Sequence, residues 1–496
     1  MKGGLLPARA LLPALVATLL GFGLRVFRLG EQSLWYDEAF SVLLAVRPLP
    51  SIVAGTALDT MPPLYYLLLH AWGLPAGDFW VRFPSAFFGT LTVPLTFAVG
   101  TRLLGPRVGL LAALITAVAP FQVFFGQEAR MYGLLGALSL LTVYWFLRMG
   151  RRDLAAPALG GQVPRLAFVC AGALAVYTHA LAWLTVGSLG LWWLLAQRGR
   201  FWRDPGTVLA FLGVGALYLP WAGILVEQAQ RVQGSFWTPP PTPLTPLASL
   251  YVFTFGPFLP APRWSTAGIV LVLLVFVLAL VAARARLADS HGRAGLGFVL
   301  FWLGMPLALA YLLSQLQPIY LERTLIGASY GLYLLLAWGL LYLRPRPVAW
   351  GLGVAGLCLV GVALGRWYFD PAAGKPPLRS AAVAIAQAWQ EGDAIIHTGD
   401  GSYLPLRVYL PDRPQELLDG DPEFAAGTAR AQSTLRVIGA VPVSAEHAAA
   451  GYRRVWLVLA PDHSPEFQQA AAQEFGRGRR LLAEQRFAGI VLRRYE

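Results

Sequence analysis

Apolar residues run along this chain in blocks of about 17–25, the length that carries a helix across the hydrocarbon core of a bilayer. Such blocks lie at 10–29, 83–101, 108–125, 131–147, 206–225, 266–283, 295–313, 324–343 and 348–365. The stretch 166–196 is long enough for two short spans meeting near His179, so the pattern predicts about eleven transmembrane helices. The first block follows Lys2 and Arg9 and lacks a small-residue cleavage site, which reads as a retained anchor and not a cleaved signal peptide. Past residue 369 the pattern changes. Ser380 to Gln390 reads as a helix, and Asp393 to His397, Leu435 to Ile438 and Val455 to Leu459 read as strands. Ser464 caps a helix through Phe475, and Leu481 to Phe487 and Ile490 to Arg494 close the chain as strand-like runs. The expectation is a polytopic helical membrane domain over 1–369, followed by a small soluble α/β layer domain over 370–496.

Two segments between spans are too long to be turns. Residues 30–82 hold amphipathic stretches at 37–47 and 62–73, expected as helices lying at the membrane interface. Residues 226–265 are rich in Gln, Pro, Trp and Phe and read as a lid loop.

Composition sharpens the class. The chain is 56% hydrophobic and 13% charged, where soluble domains carry about 25% charged residues. That excludes an ordinary soluble, disordered or collagen-like protein. The net charge of +13 does not point to nucleic acid, because its distribution is lopsided. Up to and including Lys375 there are 26 basic and 12 acidic residues; after it there are 13 and 14. With the N-terminus inside, the cytoplasmic loops collect 16 of the 26 basic residues against Asp153, Asp204 and Asp289. The basic set includes Arg102, Arg107, Arg148, Arg151, Arg152, Arg165, Arg198, Arg200 and Arg203. The positive-inside rule then places the N-terminus in the cytoplasm and the tail outside an inner membrane. Cys170 and Cys358 offer neither a disulfide framework nor metal-ligand spacing and read as small buried hydrophobes. Thr398 to Ser402 lacks the lysine and spacing of a phosphate loop and reads as a turn.

Ionisable residues beside a membrane are functional candidates by default. Asp37 and Glu38 follow the first span; the structural alternative makes Asp37 a helix N-cap and lets Glu38 favour the helix dipole. Asp59, Arg82, Glu128 with Arg130, His179, and Glu322 with Arg323 recur on the same predicted face. For the arginines the alternative is headgroup anchoring, and for His179 an interhelical hydrogen bond.

These residues carry a resemblance. Trp35-Tyr-Asp-Glu-Ala39, Asp59-Thr-Met-Pro-Pro-Leu-Tyr66, Arg82-Phe-Pro-Ser85, Gly126-Gln-Glu-Ala-Arg-Met-Tyr132, Tyr218-Leu-Pro-Trp221 and Pro318-Ile-Tyr-Leu-Glu-Arg323 occur in this order. Together, over roughly residues 20–330, they resemble the GT-C integral-membrane glycosyltransferases that use polyprenyl-phosphate sugars, a group including protein O-mannosyltransferases and lipid A aminoarabinose transferases. The resemblance implies an inverting transfer from a polyprenyl-phosphate-linked sugar to a hydroxyl of a lipid, glycan or protein on the extracytoplasmic face. It implies Asp37 as general base with Glu38 assisting, Arg130, Arg82 and Arg323 on the donor phosphate, and Glu128, Asp59, His179 and Tyr132 in supporting or acceptor-binding roles. No cofactor is required, although Asp37 with Glu128 can be drawn around a divalent cation. Relatives often have His-Pro-Pro where this chain has Met61-Pro62-Pro63, so the phosphate contact falls to the three arginines. A flippase for lipid-linked glycans is the alternative of a different class, and an O-antigen ligase or polymerase shares the chemistry.

Overall fold

A computed structural model describes residues 8–149, 162–197, 204–232, 238–285, 290–419, 429–459 and 465–496. In chain order the helices of the first half are α1 (Ala8–Val26), α2 (Tyr36–Ala45), α3 (Leu49–Leu58), α4 (Leu64–Trp72), α5 (Asp78–Leu104), α6 (Pro106–Val118), α7 (Pro120–Gly126), α8 (Tyr132–Met149), α9 (Gln162–Thr178) and α10 (Ala182–Ala196). There follow α11 (Pro205–Val232), α12 (Thr245–Phe255), α13 (Ala261–Ala285), α14 (Ser290–Leu313), α15 (Ile326–Tyr342) and α16 (Arg346–Phe369). The tail holds α17 (Leu378–Gln387), β1 (Asp393–His397), α18 (Asp400–Tyr409), β2 (Gln415–Leu417), α19 (Ala429–Ile438), α20 (Ala445–Ala449), β3 (Arg454–Leu459), α21 (Pro465–Gly478), β4 (Leu481–Phe487) and β5 (Ile490–Tyr495).

The chain divides into two compact units. The first comprises residues 1–27, 83–226 and 238–370; the second comprises 28–82, 227–237 and 371–496. The tail therefore shares its unit with the first long loop, a grouping that a cut by composition at 369/370 does not show.

The first unit is a polytopic helical membrane structure. Among the described residues, seven helices are long and apolar enough to cross a bilayer, and α6 with α7 forms an eighth candidate bent by 58°. α1, α9, α10 and α12 are shorter apolar helices. α15 is the hub: its residues are buried without interruption from Ile326 to Gly339, whereas α16 is mostly exposed. A helix apolar on every side and buried is a core element; one apolar and exposed meets lipid. Small residues let these helices approach. A Cβ on Gly133 of α8 would lie 2.6 Å from the Ser85 carbonyl oxygen of α5, so only glycine fits there.

The α6–α7 bend has a chemical cause and a chemical remedy. Pro120 has no N–H to give to the carbonyl of Thr116, and Ala119 turns to φ −57°, ψ 119° ahead of it. The orphaned carbonyls are taken by Arg25 of α1. Its Nη2 donates to Thr116 O at 3.2 Å and its Nη1 to Ala117 O at 3.2 Å and Gly21 O at 2.9 Å. Arg25 is completely buried.

Two sequence expectations change here. Residues 226–265 are not an open loop: α11 runs through Val232, and α12 buries Leu250 and Phe253, with Phe253 stacked edge-on to Phe121. Residues 233–237 of that segment lie outside the described residues. The cysteines are exposed and not buried; in a bilayer, lipid replaces the interior as the apolar medium, so a small hydrophobe gains little by facing inward. Among the loop charges, Arg151, Arg152, Asp153, Arg198, Arg200, Arg203, Arg286 and Asp289 lie outside the described residues, as do Lys2 and the expected cap Ser464.

In the second unit the sheet order is β2-β1-β3-β5-β4, parallel across β2-β1-β3 and antiparallel across β3-β5-β4. β1 and β3 are buried along their whole length, as expected for strands covered on both faces. Val455, Leu457 and Leu459 point to a core with Phe475 of α21, while Trp456 and Val458 point to one with Ile385 of α17 and Leu406 of α18. Leu435 to Ile438 is the end of α19 and not a strand; four apolar residues cannot distinguish the two periods. Residues 400 onward, read as a turn, open α18. The amphipathic stretches of the first loop form α2 and α4, with the additional α3 between them.

Candidate active site

The second unit holds Asp37, Glu38, Asp59 and Arg82. α2 begins at Tyr36, and its N-cap is Trp35, in extended conformation without a side-chain cap bond. Asp37 is thus not the N-cap. Asp37 and Glu38 occupy the first turn, where the positive end of the helix dipole favours carboxylates, and both are buried. Ser41 Oγ donates to the Asp37 backbone oxygen at 2.9 Å.

Glu38 is completely buried and its charge is matched twice. Arg82 Nε and Nη2 donate to its two oxygens at 2.7 Å each, and Lys375 Nζ lies 3.0 Å from Oε2. Arg82 spends its remaining N–H groups on carbonyls: Nη1 on Leu29 (2.9 Å) and Gln32 (2.8 Å), and Nη2 on Ser33 (2.8 Å). A guanidinium has five N–H donors, and here all five are engaged. Lys375 also sits 5.8 Å from the centroid of Trp35, so it touches both ends of the Trp35–Glu38 motif. Its one signal in the sequence is being one of two lysines, with Lys2, in a chain that otherwise uses arginine. Asp59 ends α3, and its backbone oxygen accepts Gln228 Nε2 at 2.8 Å.

The first unit holds Glu128, Arg130, Tyr132, His179 and Arg323. Glu128 and Arg130 lie in the irregular link between α7 and α8, and all five residues but Arg323 are almost wholly buried. Gln127, of the same motif, ties down the end of α1: its Nε2 donates to Arg25 O at 3.0 Å and Phe27 O at 2.8 Å, while its Oε1 accepts Trp367 Nε1 at 2.6 Å. Ser85 Oγ fixes the Arg130 carbonyl at 3.0 Å. Arg323 stands in a single 3-10 turn ahead of α15, its guanidinium 5.7 Å from the centre of the Tyr132 ring. His179 occupies the turn between α9 and α10. Burial, with the positive charges of Arg130 and Arg323, holds its pKa down at about 3. Residues 130 and 132, 179, and 323 come from three separate segments, and this unit gathers them.

No family model matches the chain, and no curated protein does. Solved structures do. ArnT from Cupriavidus metallidurans, a lipid A aminoarabinose transferase, matches in its apo state at TM-score 0.63 and 16% identity, covering 98% of this chain and 97% of that one. Its form bound to undecaprenyl phosphate matches at TM-score 0.64 and 14% identity. The Archaeoglobus fulgidus oligosaccharyltransferase matches at TM-score 0.56 and 12% identity, over 91% of this chain and 70% of its own. The chain has the GT-C fold. Within that fold the described residues contain no group of three or more His, Cys, Asp or Glu able to hold a metal ion.

Proposed function

We propose that this GT-C protein is a membrane glycosyltransferase. It takes a sugar from a polyprenyl phosphate and gives it to a hydroxyl of a lipid, glycan or protein at the extracytoplasmic face of the inner membrane, with the N-terminus cytoplasmic. The observation that carries this reading is the match along nearly the full length of both chains to ArnT, including its undecaprenyl phosphate complex. Asp37 is the general base. As it takes the acceptor proton, the acceptor oxygen bonds to the anomeric carbon and the bond from that carbon to the phosphate oxygen breaks with its electron pair on the phosphate. Attack opposite the leaving group inverts the centre. Arg130 and Arg323 balance the charge that grows on the phosphate, a role for bidentate cations, and Tyr132 steadies Arg323. Arg82 serves differently from the first expectation: with its donors occupied, it holds Glu38 and through it the first turn of α2. Glu128 and Asp59 are supporting groups, and no cofactor is required.

Purified protein in liposomes, offered an undecaprenyl-phosphate sugar and envelope lipids as acceptors, should release undecaprenyl phosphate and yield a glycosylated product. Movement of the lipid-linked sugar across the bilayer without any transfer would instead establish a flippase.

A further inference from the structure

We propose that His179 is a phosphate-binding residue, giving a neutral Nε2–H hydrogen bond to a non-bridging oxygen of the donor's lipid phosphate. This rests on the glycosyltransferase reading above and adds a residue and its protonation state to it. The backbone N–H of Leu181 donates to His179 Nδ1 at 3.1 Å. A backbone amide can only donate, so Nδ1 carries the lone pair, and in a neutral imidazole the proton then sits on Nε2. The ring is 5% exposed, and Nε2 is buried without a hydrogen-bond partner. A buried N–H left unmade is costly, which is a reason to seek the group that completes it.

The surroundings say what that group is. The positive charges of Arg130 and Arg323 bear on the ring; Nε2–H calls for an acceptor, and those charges favour one that is negative. A phosphate monoester or diester offers acceptor oxygens in several directions, matching donors that arrive from the α7–α8 link, the α9–α10 turn and the turn ahead of α15. The neutral ring adds a directed bond without adding a third cation. Binding then keeps its geometry while the charge to be released with the product is not raised.

The test is equilibrium binding of undecaprenyl phosphate to the full-length protein in nanodiscs, with inorganic phosphate titrated separately, for the parent, His179→Gln, His179→Leu and His179→Glu. Removing a hydrogen bond to a charged oxygen should weaken lipid-phosphate binding roughly 10- to 100-fold in His179→Leu. His179→Gln, which still presents an amide N–H, should stay within about threefold of the parent. Should Leu impair folding, the near-isosteric Gln and Glu variants carry the test, since Glu places an acceptor-only anion against the phosphate and should abolish binding. Parent-like affinity in folded His179→Leu or His179→Glu overturns this assignment alone. Failure of the parent to bind undecaprenyl phosphate overturns the glycosyltransferase reading and this assignment with it. Inorganic phosphate bound with the same His179 dependence, and not displaced by undecaprenyl phosphate, would make this a free-phosphate site and also overturn it.

Discussion

Two buried histidines, one in each unit, show how similar side chains are put to different ends. His397 of β1 has both ring nitrogens occupied, Nδ1 at 3.0 Å from Ser402 Oγ and Nε2 at 3.2 Å from Gln415 Oε1. His179 has only Nδ1 occupied. Burial pushes both down to about 3, so both are neutral at neutral pH. The arginines differ as well: every N–H of Arg82 is spent on Glu38 and three carbonyls, whereas Arg25 gives its Nη groups to the broken end of α6 and keeps Nε buried without a hydrogen-bond partner. Burial and charge alone therefore do not mark a binding group. An unspent donor is a further requirement, because a saturated group can bind a ligand only by breaking what it already has.

The largest effect should come from the proposed base. Asp37→Asn should lower turnover by roughly 10²–10⁴-fold with donor binding little changed. Trp35, not Asp37, is the N-cap, so the variant keeps the cap and gives up a favourable charge in the first turn, worth about 0.3–1 kcal/mol. Transfer at near-parental rate by the purified variant would move the search for the base to Glu128 or Asp59.

Next in size is the saturated pair. Arg82→Met takes both of its bonds from buried Glu38 and should cost about 3–5 kcal/mol of stability, read by denaturant unfolding of the second unit. Arg82 acting as a phosphate ligand predicts the reverse: a lost donor affinity in a protein of parental stability. Arg130→Ala should lose about 1.5–3 kcal/mol of donor binding, with Arg130→Lys recovering part because a point charge replaces a fork. Equal donor affinity in folded Arg130→Ala would assign that residue to structure.

How far the sequence reaches is visible in these same residues. The positions of the apolar helices, the α2 and α4 helices and the strands β1, β3, β4 and β5 were legible because each is a local pattern of apolar positions with a period that one element satisfies; the expected eleven spans were not reached, since among the described residues seven helices, or eight with the bent pair, are long and apolar enough to cross a bilayer. β2 was missed because three residues carry too little pattern. Asp37, Glu38, Arg130 and Arg323 could be singled out as charges beside a membrane. Their division of labour could not, since Arg82 is separated from Glu38 by 44 positions and Arg25 from Thr116 by 91. Lys375 stayed silent for the same reason. Which donors are spent is a property of long-range pairing, and residue type does not encode it.

The smallest effect is the one that tests the closed histidine. For His397 the sign follows from its shift: folded, it titrates at about 3, while its ordinary value is 6.5. Below 6.5 the unfolded chain binds a proton that the folded one refuses, so stability is complete above that pH and is lost progressively as pH falls toward 3. Between pH 7 and 6 the loss is under about 1 kcal/mol, growing at lower pH. Asp393, whose carboxylate is held below its usual range by hydrogen bonds from Arg454 and Trp456 that outweigh burial, loses its contribution only at pH values below about 4. Glu484 of β4, held below its usual range by hydrogen bonds from Arg486 and Arg493, likewise loses its contribution only near and below 4.5, so between pH 6.5 and about 5 the acid sensitivity that these shifts give the sheet is His397's. Hydrogen exchange of the β1 and β3 amides in the full-length protein should accelerate over that window in the parent and flatten in His397→Gln, whose amide can still reach Gln415 or Ser402 but has no proton to gain. His179→Gln should leave the exchange of those strands on its parental pH course. An unchanged pH course in His397→Gln would mean the ring is not what sensitises the sheet, and the contrast between a closed and an open histidine would then rest on the binding measurements at His179 alone.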